Sequence, residues 1–245
     1  MMPDLIGEKA ERWLRRSSVI RFVRRGQHAV VYHAIVRPAI KRTDVTSMLD
    51  LTLTVPPTVF HPRFYVTSRF FAEHIRTMEL AGKEVLEMGC GSGILSLVAA
   101  RRGADVTALD INPLAVECTA FNAMANHVQD RIRALQSDLF ENLAAGTAFD
   151  YIVWSPPFYP KETTDNASYA WNAGIGFEVI SRFARAAGEY LRAGGTIVLL
   201  LSSETDVPVF LSIFASNGFT ATRRALKRKL FETLSIYEFS PRAPR

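Results

Sequence analysis

Strand-like and helical stretches alternate along this chain from residue 66 to residue 202. A helical pattern over 67–80 precedes the apolar strand EVLEM (84–88). Helix 94–102, strand DVTALD (105–110), helix 113–126 and strands IRALQ (132–136) and DYIVWS (150–155) follow. A helix over 175–192 ends at Gly194-Gly195, and TIVLLLS (196–202) is apolar throughout, as expected of a central strand covered on both faces. Helix 207–216, closed by Asn217-Gly218, and strands over 219–226 and 231–239 finish the chain. Alternating strands and helices predict an α/β fold with a doubly wound sheet, mostly parallel with an antiparallel C-terminal strand. In such a sheet, right-handed crossovers put the ligand at the carboxyl ends of the first strands.

The N-terminal part reads differently. Over 4–25, Ile6, Ala10, Trp13, Ile20 and Val23 fall close to one helical stripe. HAVVYHAIV (28–36) and MLDLTLTV (48–55) read as strands separated by Pro38 and a polar turn, and Pro56-Pro57 ends the unit. Residues 1–57 are therefore expected to form a small helix and β-hairpin cap, followed by a main domain over 58–245.

Hydrophobic residues make up 48% of the chain and charged residues 22%, which excludes a disordered polypeptide. Two cysteines outside any CxxC pair give no disulfide framework, and the histidines lack HxxxH spacing, so no metal is expected. No apolar run approaches the roughly 18 residues of a membrane span, and residues 1–11 lack the apolar core of a signal peptide. The expected location is the cytoplasm. Charge is unevenly spread. Residues 1–42 carry a net +7, residues 43–222 a net −7 and residues 223–245 a net +5. An acidic body thus has two basic ends, which suit an anionic partner.

The strand 84–88 runs into Glu87-Met88-Gly89-Cys90-Gly91-Ser92-Gly93, and a helix starts at once. Glycines let such a turn fold tightly and bring backbone N–H groups close to a ligand. The helix end adds unpaired donors and a positive dipole end. A dinucleotide fingerprint needs glycine where this chain has Ile94, and its spacing is E-x-G-x-G-x-G instead. That spacing resembles motif I of class I S-adenosylmethionine (SAM)-dependent methyltransferases. The resemblance implies a Rossmann-like sheet and SAM as cofactor. It makes Glu87 a partner for the cofactor's positive charge, Asp110 the acceptor for both ribose hydroxyls and Ile111 a packing surface for adenine. Asp138 would face the adenine amino group. Gly89, Cys90, Gly91 and Gly93 would line the cofactor, with Asn112, Leu139 and Ser155 beside it.

After the fourth strand of the alternating series comes Trp154-Ser155-Pro156-Pro157-Phe158-Tyr159. Two prolines fix φ, stiffen the loop and free the Ser155 and Pro156 carbonyls to accept from a substrate amine. Phe158 offers a flat face for stacking. The sequence resembles the (N/D/S)-P-P-(Y/F/W) tetrapeptide of methyltransferases acting on planar nitrogen, which assigns catalysis to Ser155, Pro156, Pro157 and Phe158. Upstream, His61-Pro62-Arg63-Phe64-Tyr65-Val66-Thr67 is similar to the P-R-x-x-T segment of release-factor glutamine methyltransferases, with one extra residue before Thr67. It adds Thr67 to the cofactor set. SDLF (137–140) also suits the wider group that includes ribosomal RNA guanine N2-methyltransferases. Serine at 155 in place of Asn or Asp forgoes a hydrogen bond of about 0.5–1.5 kcal/mol. Ser-Pro-Pro resembles the version in DNA cytosine-N4 methyltransferases, which implies cytosine or a small molecule rather than glutamine.

Residues 159–176 are polar with interspersed aromatics and read as a substrate loop, with Tyr159, Tyr169 and Trp171 lining the acceptor pocket. The expected acceptor is a protein side-chain amide or a nucleobase amine. A small-molecule methyltransferase and a non-catalytic SAM-binding module are the alternatives.

Overall fold

The computed structural model describes residues 42–64, 66–158, 162, 173–229 and 232–242. The expected helix 4–25 and strand 28–36 lie outside these residues, as do Tyr159, Tyr169 and Trp171. The chain divides into two compact units, Met1–Arg42 and Thr43–Arg245. Only Arg42 of the first is among the described residues.

The second unit opens with an antiparallel hairpin, β1 (Asp44–Met48) and β2 (Leu51–Val55). The single strand expected over 48–55 is interrupted because Leu49 (φ 52°) and Asp50 (φ 63°) form a two-residue turn. Positive φ at both central positions is the tight-hairpin geometry, reached here without the usual Asn-Gly or Asp-Gly signal. Helix α1 (Val66–Ile75) follows. The main sheet is then built from β3 (Glu84–Met88), β4 (Asp105–Asp110), β5 (Ile132–Gln136), β6 (Phe149–Trp154), β7 (Leu191–Ser202), β8 (Phe219–Arg228) and β9 (Thr233–Pro241). Its helices are α2 (Ile94–Arg101), α3 (Pro113–Ala125), α4 (Glu178–Ala186) and α5 (Val207–Ser216).

Strand order is β5-β4-β3-β6-β7-β9-β8. Pairing is parallel from β5 to β7, and β9 runs antiparallel to both β7 and β8. The doubly wound α/β sheet with an antiparallel C-terminal strand is as the alternation predicts. Central strands alternate their side chains between two cores. Val85, Val106, Val153, Val198 and Leu200 meet the hairpin and α1–α3 on one face. Leu86, Leu109, Ile152, Trp154, Ile197, Leu199 and Leu201 meet α4 and α5 on the other.

Two helix ends shift: the helix expected over 67–80 stops at Ile75. The helix expected over 175–192 is only α4, followed by a tight turn (Ala187–Tyr190), and β7 already begins at Leu191. Phe149 of β6 faces Leu191 and Tyr151 faces Thr196, so a bulge in β7 opposite Phe149–Tyr151 absorbs the two glycines. Gly194 has φ 78°, and a Cβ on Gly195 would meet the carbonyls of Arg192 and Phe149 at 2.9 Å.

Candidate functional site

The sheet register assembles the motifs. Met88 of β3 is level with Leu109 of β4 and with Trp154 of β6. The glycine turn, Asp110 and Ser155 therefore leave three adjacent strands at one carboxyl edge, with neighbours about 4.8 Å apart. Strand order reverses between β3 and β6, so this is the switch point of the sheet.

The three motif glycines are not equivalent. All have positive φ, 67° at Gly89, 52° at Gly91 and 78° at Gly93. A Cβ on Gly93 would sit 2.9 Å from Thr119 Cγ2, so that position lets α2 pack against α3. Gly89 and Gly91 are uncrowded. A Cβ on Gly91 would meet only Phe60 Cβ, at 3.8 Å. Their backbone is open to a close-lying ligand. Cys90 is buried, and its N–H donates to the Leu109 carbonyl at 2.9 Å, which ties the turn to β4.

Asp110 is half-buried at the end of β4. Its Oδ2 accepts the N–H of Gly91 at 2.9 Å and its Oδ1 that of Asn112 at 2.9 Å. Burial raises its pKa, and the surrounding backbone N–H groups pull it back. Each oxygen keeps a lone pair for a further donor. Asn112 caps α3 by accepting from Leu114 N–H at 3.1 Å, and its Nδ2 donates to the Thr58 carbonyl at 3.4 Å. Ile111 between them is half-buried, with its carbonyl accepting from Gln136 at 3.2 Å.

Glu87 turns toward α2. Its carboxylate accepts both the N–H of Ser96, at 2.8 Å, and the Ser96 hydroxyl. Burial pushes its pKa up to about 8. Asp138 and Leu139 follow β5. Leu139 is buried with φ 50°, and Asp138 pairs with Arg182 of α4 at 3.0 Å. In the second turn Ser155 is exposed, Pro156 and Pro157 are buried, and Phe158 is half-buried against the first core. Thr67 stands in the first turn of α1, half-buried.

Three contributors carry no signal in the sequence. Thr58 and Phe60 belong to the segment after Pro56-Pro57, which passes beside the glycine turn rather than merely ending a unit. Arg182 carries no motif, and only its partners on another element reveal it. Asn122 and Asn126 of α3 treat β2 as a neighbouring strand would. Their amides accept from the N–H groups of Thr54 (2.8 Å) and Thr52 (3.0 Å) and donate back to the carbonyls of Thr54 (3.1 Å) and Thr52 (2.7 Å). Asn122 also donates to the Ser92 carbonyl at 3.0 Å, so the hairpin is fastened to the glycine turn itself.

Residues 50–232 match the model of the methyltransferase small domain family. A protein of Methanocaldococcus jannaschii named "Putative protein N5-glutamine methyltransferase" is 31% identical over 183 residues, 72% of this chain and 91% of the relative. The ribosomal RNA small subunit methyltransferase C of Chromohalobacter salexigens is 33% identical over 164 residues, 66% of this chain and 45% of that protein. Among solved structures, a 16S rRNA guanine-N2 methyltransferase of T. thermophilus, in complex with AdoMet and guanosine, has a TM-score of 0.60 at 23% identity. That match covers 82% of this chain and 50% of the other. The chain thus spans nearly all of the first relative but half or less of the other two.

Proposed function

This chain belongs to the methyltransferase small domain family, and on that basis we propose that it transfers a methyl group from SAM to a planar nitrogen, a protein side-chain amide or a nucleobase amine. The observation that carries the reading is the shared level of Met88, Leu109 and Trp154. It brings the cofactor motif and the acceptor motif to adjacent strand ends.

The residues present fit the cofactor. Gly89 and Gly91 leave the backbone uncovered where a side chain would otherwise stand. Asp110, already anchored by two N–H groups, offers its remaining lone pairs to the two ribose hydroxyls. Ile111 packs on adenine, with Asn112, Cys90, Gly93 and Leu139 holding the walls. Thr67 and Asp138 complete the set. Glu87 lies behind the glycine turn, bonded to Ser96, with its pKa raised to about 8 in the free chain; the positive charge of bound SAM would lower that value and favour its charged form. When bound, SAM supplies an electrophilic sulfonium methyl group. The carbonyls of Ser155 and Pro156 accept from the acceptor –NH₂, and Phe158 stacks on its plane. Pro157 stiffens the turn. Holding nitrogen and methyl in line supplies the main part of such a rate enhancement.

Of the two acceptors, the amide has the relative matched over 91% of its length. The small-molecule and non-catalytic alternatives are not favoured, because the relatives named above bear the names of enzymes that act on protein or ribosomal RNA. The basic ends, +7 and +5, suit docking on an anionic macromolecule such as the ribosome. Among the described residues no helix is long and apolar enough to cross a membrane. A reducing cytoplasm suits the free, buried Cys90 and Cys118.

The test is transfer of isotope from labelled SAM into a fractionated lysate. Label in protein or RNA supports the proposal. Label confined to small molecules, or none in any fraction, overturns it. Transfer that falls steeply with added salt supports the docking role of the basic ends.

A further inference from the structure

Arg182 belongs to no motif, yet it joins the two halves of the site. It stands on α4, the helix that follows the acceptor loop, and its Nη2 lies 3.0 Å from Asp138 Oδ2 and 3.0 Å from Glu141 Oε1. The next residue, Phe183, packs its ring 4.4 Å from that of Trp154, which immediately precedes Ser155. The same ring lies 5.2 Å from Phe140, two residues after Asp138. One turn of α4 therefore touches both the acceptor turn and the turn after β5.

Arg182 and Asp138 are 42% and 36% exposed, so their pairing adds little to stability. What it adds is direction. With Oδ2 held, Oδ1 makes no hydrogen bond among the described residues and remains an acceptor. Resting on the methyltransferase reading above, we propose that Arg182 is a positioning residue for cofactor selection. It fixes the Asp138 carboxyl by its Oδ2, with Oδ1 presented to the 6-amino group of adenine. A carboxyl oxygen held in that direction accepts from an amino group and opposes the lone pairs of a 6-oxo group, so the pair selects an aminopurine cofactor over an oxopurine one.

Calorimetry on the full chain compares S-adenosylhomocysteine with S-inosylhomocysteine, its 6-oxo counterpart. The native chain should prefer the adenosyl ligand by about ten-fold or more, the worth of one hydrogen bond to a charged group. Arg182→Gln should abolish most of that preference while leaving inosyl affinity nearly unchanged. Arg182→Lys, which keeps the charge, should restore much of it. An unchanged preference in Arg182→Gln overturns the inference. So does an equal loss of both ligands, the mark of a loosened helix. Failure of the native chain to bind S-adenosylhomocysteine at all would instead overturn the proposed function.

Discussion

Asp110, at the end of β4, accepts the backbone N–H of Gly91 at 2.9 Å, so the acid and the glycine turn of the neighbouring strand form one unit. Replacing Asp110 should do double damage. Asp110→Ala removes two charged hydrogen bonds to ribose, each worth about 1.5–3 kcal/mol, and leaves the Gly91 N–H unpaired. Calorimetry should show S-adenosylhomocysteine affinity falling on the order of a hundred-fold or more. An unaltered Kd would exclude Asp110 from the ribose site.

Glu87 carries a pH dependence of stability. Its folded pKa, about 8, lies above the ordinary value of 4.5, so the folded chain retains a proton that the unfolded chain gives up. That contribution is fully present below the ordinary value and is lost as pH rises toward 8. Each pH unit in the window is worth up to about 1.4 kcal/mol. Urea midpoints between about pH 5 and pH 8 should fall for the native chain and stay flatter for Glu87→Gln, which can still accept from Ser96. Parallel curves for the two proteins would refute the assignment.

Phe158→Ala separates acceptor from cofactor. Losing a stacking face worth about 0.5–1.5 kcal/mol should slow methyl transfer several-fold, with S-adenosylhomocysteine affinity almost intact. Some stability should also be lost, because Phe158 is half-buried against the first core. Loss of cofactor binding, or no effect on transfer, would remove Phe158 from the acceptor role.

Two glycines with similar backbones should respond differently to alanine. Gly82 has φ 68° and open space where a Cβ would stand, with nothing within 4 Å, so Gly82→Ala should cost only about 1–2 kcal/mol for the left-handed conformation. Gly93→Ala adds a collision with Thr119, including its Cα at 3.2 Å, for about 1–3 kcal/mol more. Thermal melts should rank Gly93→Ala below Gly82→Ala, and the reverse order would mean that α2 and α3 can separate cheaply.

Strands β3, β4 and β5 and helix α5 fall where their local patterns put them, because apolar alternation, Asn and Gly stops and proline entries act within a few residues. The β1–β2 turn and the β7 bulge were less legible. Leu49 and Asp50 adopt positive φ without glycine, and the Gly194-Gly195 pair reads as a helix stop although it lies inside a strand.

The sequence by itself determined the alternation that makes the doubly wound sheet and the two turns that carry the chemistry, since both are written in contiguous residues. Only the tertiary structure decided what surrounds them. Asn122 grips Thr54 from 68 positions away, and Arg182 reaches Asp138 from 44. Neither spacing has a period that a strand or helix imposes. Such partners meet only because strand order and crossover direction lay one element against another, and so the anchoring of the hairpin and the hold on Asp138 appear only in the assembled fold.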